Sequence, residues 1–202
     1  RRSDFTAREA LRTKAFWFMA LGHGTALLII GAVMVHLILH VNGQLGYSLS
    51  TAGLVISLMT AMQIIGLVSA GFLGDRFDKR LIVTVCMGFH AAGLLLLAYA
   101  HNIWMIIGFA VLHGIAWGTR GPLMQAIRAD YFGASHFGVI MGWSSLIVMM
   151  GMALGPLYAG YMADRTGNYV SAFTTLAVSA LFGAIFFLLA KQPTKRPQSE
   201  LV

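Results

Sequence analysis

Residues 66–76 read Gly66-Leu67-Val68-Ser69-Ala70-Gly71-Phe72-Leu73-Gly74-Asp75-Arg76, and residues 155–165 read Gly155-Pro156-Leu157-Tyr158-Ala159-Gly160-Tyr161-Met162-Ala163-Asp164-Arg165. The two segments agree at Gly66/Gly155, Ala70/Ala159, Gly71/Gly160, Asp75/Asp164 and Arg76/Arg165, an offset of 89 (66 to 155). A second echo sets His23-Gly24, Ala26 and Gly31 against His113-Gly114, Ala116 and Gly121, an offset of 90 (23 to 113). Two matches at nearly one offset describe an internal repeat. Three long apolar runs separate a residue from its echo. If each run crosses a bilayer, an odd number of crossings puts Asp75-Arg76 and Asp164-Arg165 on opposite sides, and the two halves are inverted.

The composition supports the bilayer. Of 202 residues 58% are hydrophobic, 10% are charged, and the mean hydropathy is +0.76, whereas a water-facing domain carries about 25% charged residues. That balance excludes a soluble enzyme, a disordered tail and a nucleic-acid module, in spite of a net charge of +7 and a pI near 10.0. A spanning helix needs about 20 apolar residues. Six stretches meet this, at residues 15–39, 51–74, 81–100, 103–127, 137–163 and 170–190. The first is too long for the apolar region of a signal peptide and is counted as a retained helix. The reading is an all-α membrane protein of six transmembrane helices in two inverted three-helix repeats. It divides into a juxtamembrane segment (1–14), a transmembrane domain (15–190) and a tail (191–202). The lone Cys86 closes no internal disulfide.

Six spans put both ends on one side. Thirteen of the 14 Lys and Arg fall there, in the N-terminal segment, at Arg76, Lys79 and Arg80, at Arg120 and Arg128, and at Lys191, Lys195 and Arg196. Only Arg165 lies opposite, so the positive-inside bias predicts cytoplasmic termini and a plasma (inner) membrane location. Trp17, Tyr47, Tyr99, Trp104, Tyr131, Tyr158, Tyr161 and Tyr169 fall near span ends, where interfacial aromatics belong; Trp117 and Trp143 do not. Thr6-Ala7-Arg8-Glu9 is a capping box, predicting a short helix before the first span. Gln192-Pro193-Thr194-Lys195-Arg196-Pro197 reads as solvated and disordered.

The run from Gly71 to Arg80, Gly-Phe-Leu-Gly-Asp-Arg-Phe-Asp-Lys-Arg, resembles the Gly-x-Leu-x-Asp-Arg-x-x-x-Arg/Lys loop signature of the major facilitator superfamily. Ala129-Asp130-Tyr131-Phe132-Gly133 with His136-Phe137-Gly138, and Gly155-Pro156-Leu157 through Asp164-Arg165-Thr166-Gly167, look like later parts of such carriers. The resemblance implies the C-terminal six-helix half of a twelve-helix transporter whose halves rock about a shared substrate site. Arg1 is not an initiator methionine, which is in keeping with an N-terminal half upstream. Asp78 departs from the signature, which often has Gly there, and puts the turn geometry in question. The resemblance implies conformational gating for Asp75, Arg76, Lys79 and Arg80, with the Asp75 carboxylate reaching the positive N-terminus of a helix in the other half. The bland reading of the same four is a solvated turn with topology-setting charges.

None of the seven acidic residues falls in a span interior, and the only full charge expected there is Arg120. At 100° per residue His113, Trp117, Arg120 and Met124 share one face of the fourth span. The resemblance makes spans 1, 2, 4 and 5 cavity-lining and spans 3 and 6 outward. A guanidinium at that depth needs water, protein or a counter-ion, and its planar fork suits a carboxylate. The alternative is a side chain that snorkels beside Gly121-Pro122. Candidate substrate contacts are Arg120, His113, Trp117, Gln63 and His23; Gln63 could equally bond helix to helix, and His23 could be a packed core histidine. Trp143, Ser144 and Ser145 are further candidates to line the cavity, His90 reads as structural, and Gly151, Gly155 and Ala159 form a ridge for close packing.

The function these features predict is secondary transport of small organic anions such as carboxylates by alternating access. The partners are the lipid bilayer, the missing N-terminal half and a small-molecule substrate, with no nucleic acid. No metal or cofactor and no enzymatic activity is expected, and no ATP-binding motif is present. Rival readings are a drug or neutral-solute exporter of the same superfamily, a non-transporting scaffold, and a histidine-rich metal or haem protein. The last would use the His36/His40 pair, or pair His23 with His90 or His113.

Overall fold

The computed structural model describes residues 4–194. Lys195, Arg196 and Pro197 of the expected disordered tail lie outside the described residues. Seven α-helices follow in order: α1 (Ala7–Leu11), α2 (Lys14–Ile38), α3 (Leu49–Arg76), α4 (Lys79–Ala98), α5 (Ile103–Phe132), α6 (Phe137–Thr166) and α7 (Val170–Leu189). A π-helical turn, Leu39–Gln44, extends α2. The helices α2 to α7 are each long and apolar enough to cross a membrane, and the chain is a multi-pass membrane protein.

Short polar side chains start most of these helices. Thr6, Thr13, Ser48, Asp78 and Asn102 each accept a hydrogen bond from a backbone N–H of the first turn, leaving fewer donors unmatched. Asp78 is therefore the N-cap of α4, with extended backbone (φ −60°, ψ 113°) that needs no glycine. The unusual residue of the loop signature has a local structural role.

The end of the fourth span differs from the sequence reading. α5 runs five residues past 127 and stops at Gly133, whose φ of +81° is left-handed. Hydropathy falls at Arg128-Ala129-Asp130, but no helix breaker intervenes, so hydrogen bonding continues where the apolar run ends. Arg128, assigned to a connection, thus lies within the helix and is 2% exposed. At the chain end, Gln192 Nε2 donates to the Asp130 carbonyl (2.9 Å), so the first tail residue after Lys191 is docked.

The inverted repeat is visible in the packing. α3 lies along α5 and α6 along α2, so the second helix of each repeat packs on the first helix of the other, while α4 packs on α5 and α7. Gly66 of α3 abuts the Ile115 carbonyl of α5, and its echo Gly155 of α6 abuts the Leu28 carbonyl of α2; a Cβ at either would overlap that oxygen. The recurring glycines mark the places where backbones meet, the usual role of small residues between membrane helices. The apolar stretches of α3 and α6 are each only 22% buried, against 61% for α2.

The first and last described residues lie at one end of the bundle. There Asp4 accepts hydrogen bonds from the Ala134 and Ser135 N–H groups (3.2 and 2.9 Å) and from the Ser135 hydroxyl. Phe5 N–H donates to the Phe132 carbonyl (2.9 Å), and the two rings meet edge-on at 5.7 Å.

Candidate functional site

A cavity of about 580 Å³ opens between α2, α3 and α5. Its polar wall is His23, Gln63, Trp117, Arg120 and Gln125, and its apolar wall includes Leu27, Ile64, Leu67 and Pro122. Four of the five sequence candidates for substrate contact are brought together here. Arg120 is 1% exposed as a residue, and its Nε and Nη1 have no hydrogen-bond partner. No Asp or Glu lines the cavity.

His113 is not among the lining residues. It turns to α4, where its Nδ1 lies 3.0 Å from Nδ1 of His90 with both rings fully buried. Met124, placed on the same face by angular counting, is also in the core. The reason is geometric: an arc of about 40° to either side of one line is wide enough to touch two neighbours, and α5 packs on both α3 and α4. At the fourth span the polar stripe is divided between a cavity and a helix contact. The fifth span differs as well: no residue of α6 lines the cavity, Trp143 is 51% exposed, and Ser144 is buried.

Arg128 is the residue that sequence reasoning missed. Its Nη2 donates to Ser144 Oγ on α6 (2.8 Å) and to His23 Nδ1 on α2 (3.0 Å), and its Nη1 has no partner. A guanidinium only donates, so His23 Nδ1 is the acceptor and the ring hydrogen of neutral His23 sits on Nε2. The second buried cation therefore decides which tautomer His23 offers to the cavity it lines. The available signal was the unbroken helix between Pro122 and Gly133.

The loop-signature residues divide into two pairs. Lys79 Nζ donates to Asp130 Oδ2 at 2.8 Å and Arg80 Nη1 to the Leu188 carbonyl at 3.4 Å, tying α4 to α5 and α7. Asp75 and Arg76 are exposed at the end of α3, with Arg76 lying over the Phe72 ring at 4.1 Å. Among the described residues neither forms an ion pair.

The histidines named in the metal and haem readings have protein partners. Every ring nitrogen of His36 and His40 is held by a protein atom. His90 and His113 bond each other directly, and His23 Nδ1 accepts from Arg128. Among the described residues no group of three His, Cys, Asp or Glu is placed to hold a metal ion.

Two inverted three-helix units, with a cavity on one side and a buried cation in its wall, have the architecture of one half of a membrane carrier. Residues 17–201 match the family model of the Major Facilitator Superfamily, and the chain belongs to that family. It is 26% identical over 196 residues to a triacylglyceride transporter of Mycobacteroides abscessus, covering 91% of this chain and 38% of that protein. It is 25% identical over 177 residues to monocarboxylate transporter 13 of Rattus norvegicus, covering 83% and 41%. The fold matches the crystal structure of the E. coli fucose:proton symporter with a TM-score of 0.78 at 18% identity, over 92% of this chain and 45% of that one. The chain spans about two fifths of the length of these curated relatives.

Proposed function

We propose that the chain is the C-terminal half of a secondary carrier that moves small organic anions, carboxylates above all, by alternating access. The observation that carries the proposal is Arg120: a buried guanidinium with two open nitrogens, in the wall of a cavity without a carboxylate. Burying such a charge at a helix centre costs about 2.5 to 3.5 kcal/mol on insertion scales, and a bound anion offsets that cost. The other polar groups suit the same ligand. His23 presents Nε2–H, Gln63 and Gln125 carry amide donors, and Trp117 carries an indole N–H. Leu27, Ile64 and Leu67 supply an apolar surface for the hydrocarbon part of a carboxylate. The name of the rat relative agrees with an anion; those of the mycobacterial and E. coli proteins point to other substrates, so the assignment rests on the cavity.

In this reading the exposed apolar faces of α3 and α6 meet an N-terminal six-helix half. Asp75 and Arg76 gate by contacting it, while Lys79 and Arg80 stiffen the ends of α4, α5 and α7. The crowding of Lys and Arg at the end holding both termini supports a cytoplasmic placement of that end and insertion in the plasma membrane.

The test is thermal stabilisation of the full-length protein by carboxylates, sugars, amines and drugs, for wild type and Arg120→Gln. A ligand at a hundredfold excess over its Kd stabilises the folded state by about 2.7 kcal/mol. Stabilisation by carboxylates alone, abolished by Arg120→Gln, is the expected result. Equal stabilisation of both proteins by neutral or cationic compounds overturns the anion assignment.

A further inference from the structure

The anion reading accounts for Arg120 and leaves a second buried cation without a counter-charge. Arg128 is 2% exposed, its Nη2 meets only Ser144 Oγ and His23 Nδ1, and its Nη1 has no partner. The ion pairs of the described residues are Lys79–Asp130 and Arg80–Asp78, so neither Arg120 nor Arg128 has a carboxylate partner among them. A serine and a neutral imidazole satisfy hydrogen bonds but carry no opposite charge, and a buried charge left uncompensated is strongly destabilising.

Both cations bear on one cavity. Along α5 its lining runs from Trp117 through Arg120 to Gln125, one turn short of Arg128. The two arginines are eight residues apart, about 12 Å along the helix axis and about 80° around it. Arg128 does not itself line the cavity; it acts through His23, which does. The guanidinium donates to Nδ1, so the ring hydrogen sits on Nε2, on the side of the imidazole away from Arg128, with the charge one ring behind it. The cavity therefore has two anion anchors on different helices, a direct one at Arg120 of α5 and a relayed one at His23 of α2. Leu27, Ile64 and Leu67 give the same cavity an apolar wall.

We propose that this site takes a dianion whose charges sit on two groups, a short-chain dicarboxylate, with one carboxylate at Arg120 and the other at His23 backed by Arg128. The proposal rests on the anion reading of the cavity and adds the charge and the two-ended form of the ligand. A dianion matches both uncompensated cations, whereas a monocarboxylate leaves one of them unmatched. Two anchors on separate helices suit two carboxylates joined by methylenes, which the apolar wall covers. Arg128 is a positioning residue here, because it reaches the ligand through the imidazole.

The experiment is calorimetric titration of the full-length protein at neutral pH with succinate, with butyrate, which keeps the chain length but has one charge, with succinamate, in which an amide replaces one carboxylate, and with inorganic phosphate. The expected result is that succinate binds wild type about tenfold or more tightly than butyrate or succinamate, the increment of one further charge-assisted hydrogen bond. Arg128→Gln removes that preference, an effect that general loosening of the fold does not produce, while Arg120→Gln weakens succinate and butyrate alike. The wild-type comparison needs no substitution and decides the matter if Arg128→Gln fails to fold. Equal affinity for succinate and butyrate overturns the proposal and leaves the anion reading standing. So does a succinate preference that persists in Arg128→Gln, or inorganic phosphate that binds more tightly than succinate. Failure of every probe to bind wild type overturns the anion reading as well.

Discussion

Single side chains decide the chemistry of the cavity, and Arg128 shows how. One guanidinium nitrogen serves both His23 and Ser144, a geometry that a lysine point charge does not reproduce. Arg128→Lys is expected to weaken binding of a carboxylate by about tenfold, since a hydrogen bond to a charged group contributes about 1.5 kcal/mol or more. Calorimetric titration of the full-length protein measures it, and an unchanged Kd would remove Arg128 from the proposed site. Asp4 acts at the basic end instead. The Ser135 hydroxyl and backbone N–H bonds, with that of Ala134, hold its carboxyl below the ordinary value of 3.8. A group whose folded pKa is depressed stabilises its contact at every pH above the ordinary value, and the contact is lost as pH falls through the lower folded value. Docking of the N-terminal segment on the 133–135 turn should therefore hold from neutral pH to about pH 4 and release only in stronger acid. Spin-label distances between the segment and the turn report this. Release already between pH 7 and 5 would contradict it, and Asp4→Asn should loosen the segment even at neutral pH.

At the scale of the helix, close crossings are the constraint. Gly66 and Gly155 occupy equivalent crossings, each facing a carbonyl across the interface. Gly66→Val and Gly155→Val are each expected to destabilise by about 1 to 3 kcal/mol or more, as overpacking does. Gly53, on the exposed side of α3, has open space where a Cβ would go. Gly53→Ala is expected to leave the melting temperature unchanged or to raise it slightly, because alanine gives the unfolded chain less conformational entropy to lose than glycine does. Thermal unfolding in detergent separates the two classes of glycine; equal effects at Gly53 and Gly155 would show that the crossings are not tight. Helix ends were harder to read than helix centres. Hydropathy marks where a segment leaves the apolar layer, and hydrogen bonding marks where the helix stops. At α5 the two differ by the five residues that carry Arg128.

For the molecule as a whole, the crowding of positive charge at one end predicts its orientation, and the unburied faces of α3 and α6 predict a neighbour in the membrane. Cys86, the lone cysteine, is buried, so it provides a quiet background for labelling. A cysteine introduced at Ser135, in the turn that holds Asp4, is expected to react with a membrane-impermeant maleimide only from the cytoplasmic side. One at Gly46, between the π-helical turn and α3, should react only from outside. The reverse pattern would invert the topology and with it the direction in which the cavity faces.

The amino-acid sequence by itself determined the membrane class, the six spans and the inverted repeat. Each rests on a property that adds along the chain: apolar length against bilayer thickness, charge counted by side, and glycines recurring where backbones cross. It also singled out Arg120, because a cation in a long apolar run stands out without any knowledge of its neighbours. Only the tertiary structure decided that His113 bonds His90 rather than facing the cavity, that Arg128 is buried and sets the His23 tautomer, and that His40 meets the Leu97 carbonyl of α4. Those facts depend on which helix lies beside which, and on backbone groups of α4, α6 and α7 that are distant in sequence. A helical wheel places a side chain on an arc; what the arc touches is settled by packing.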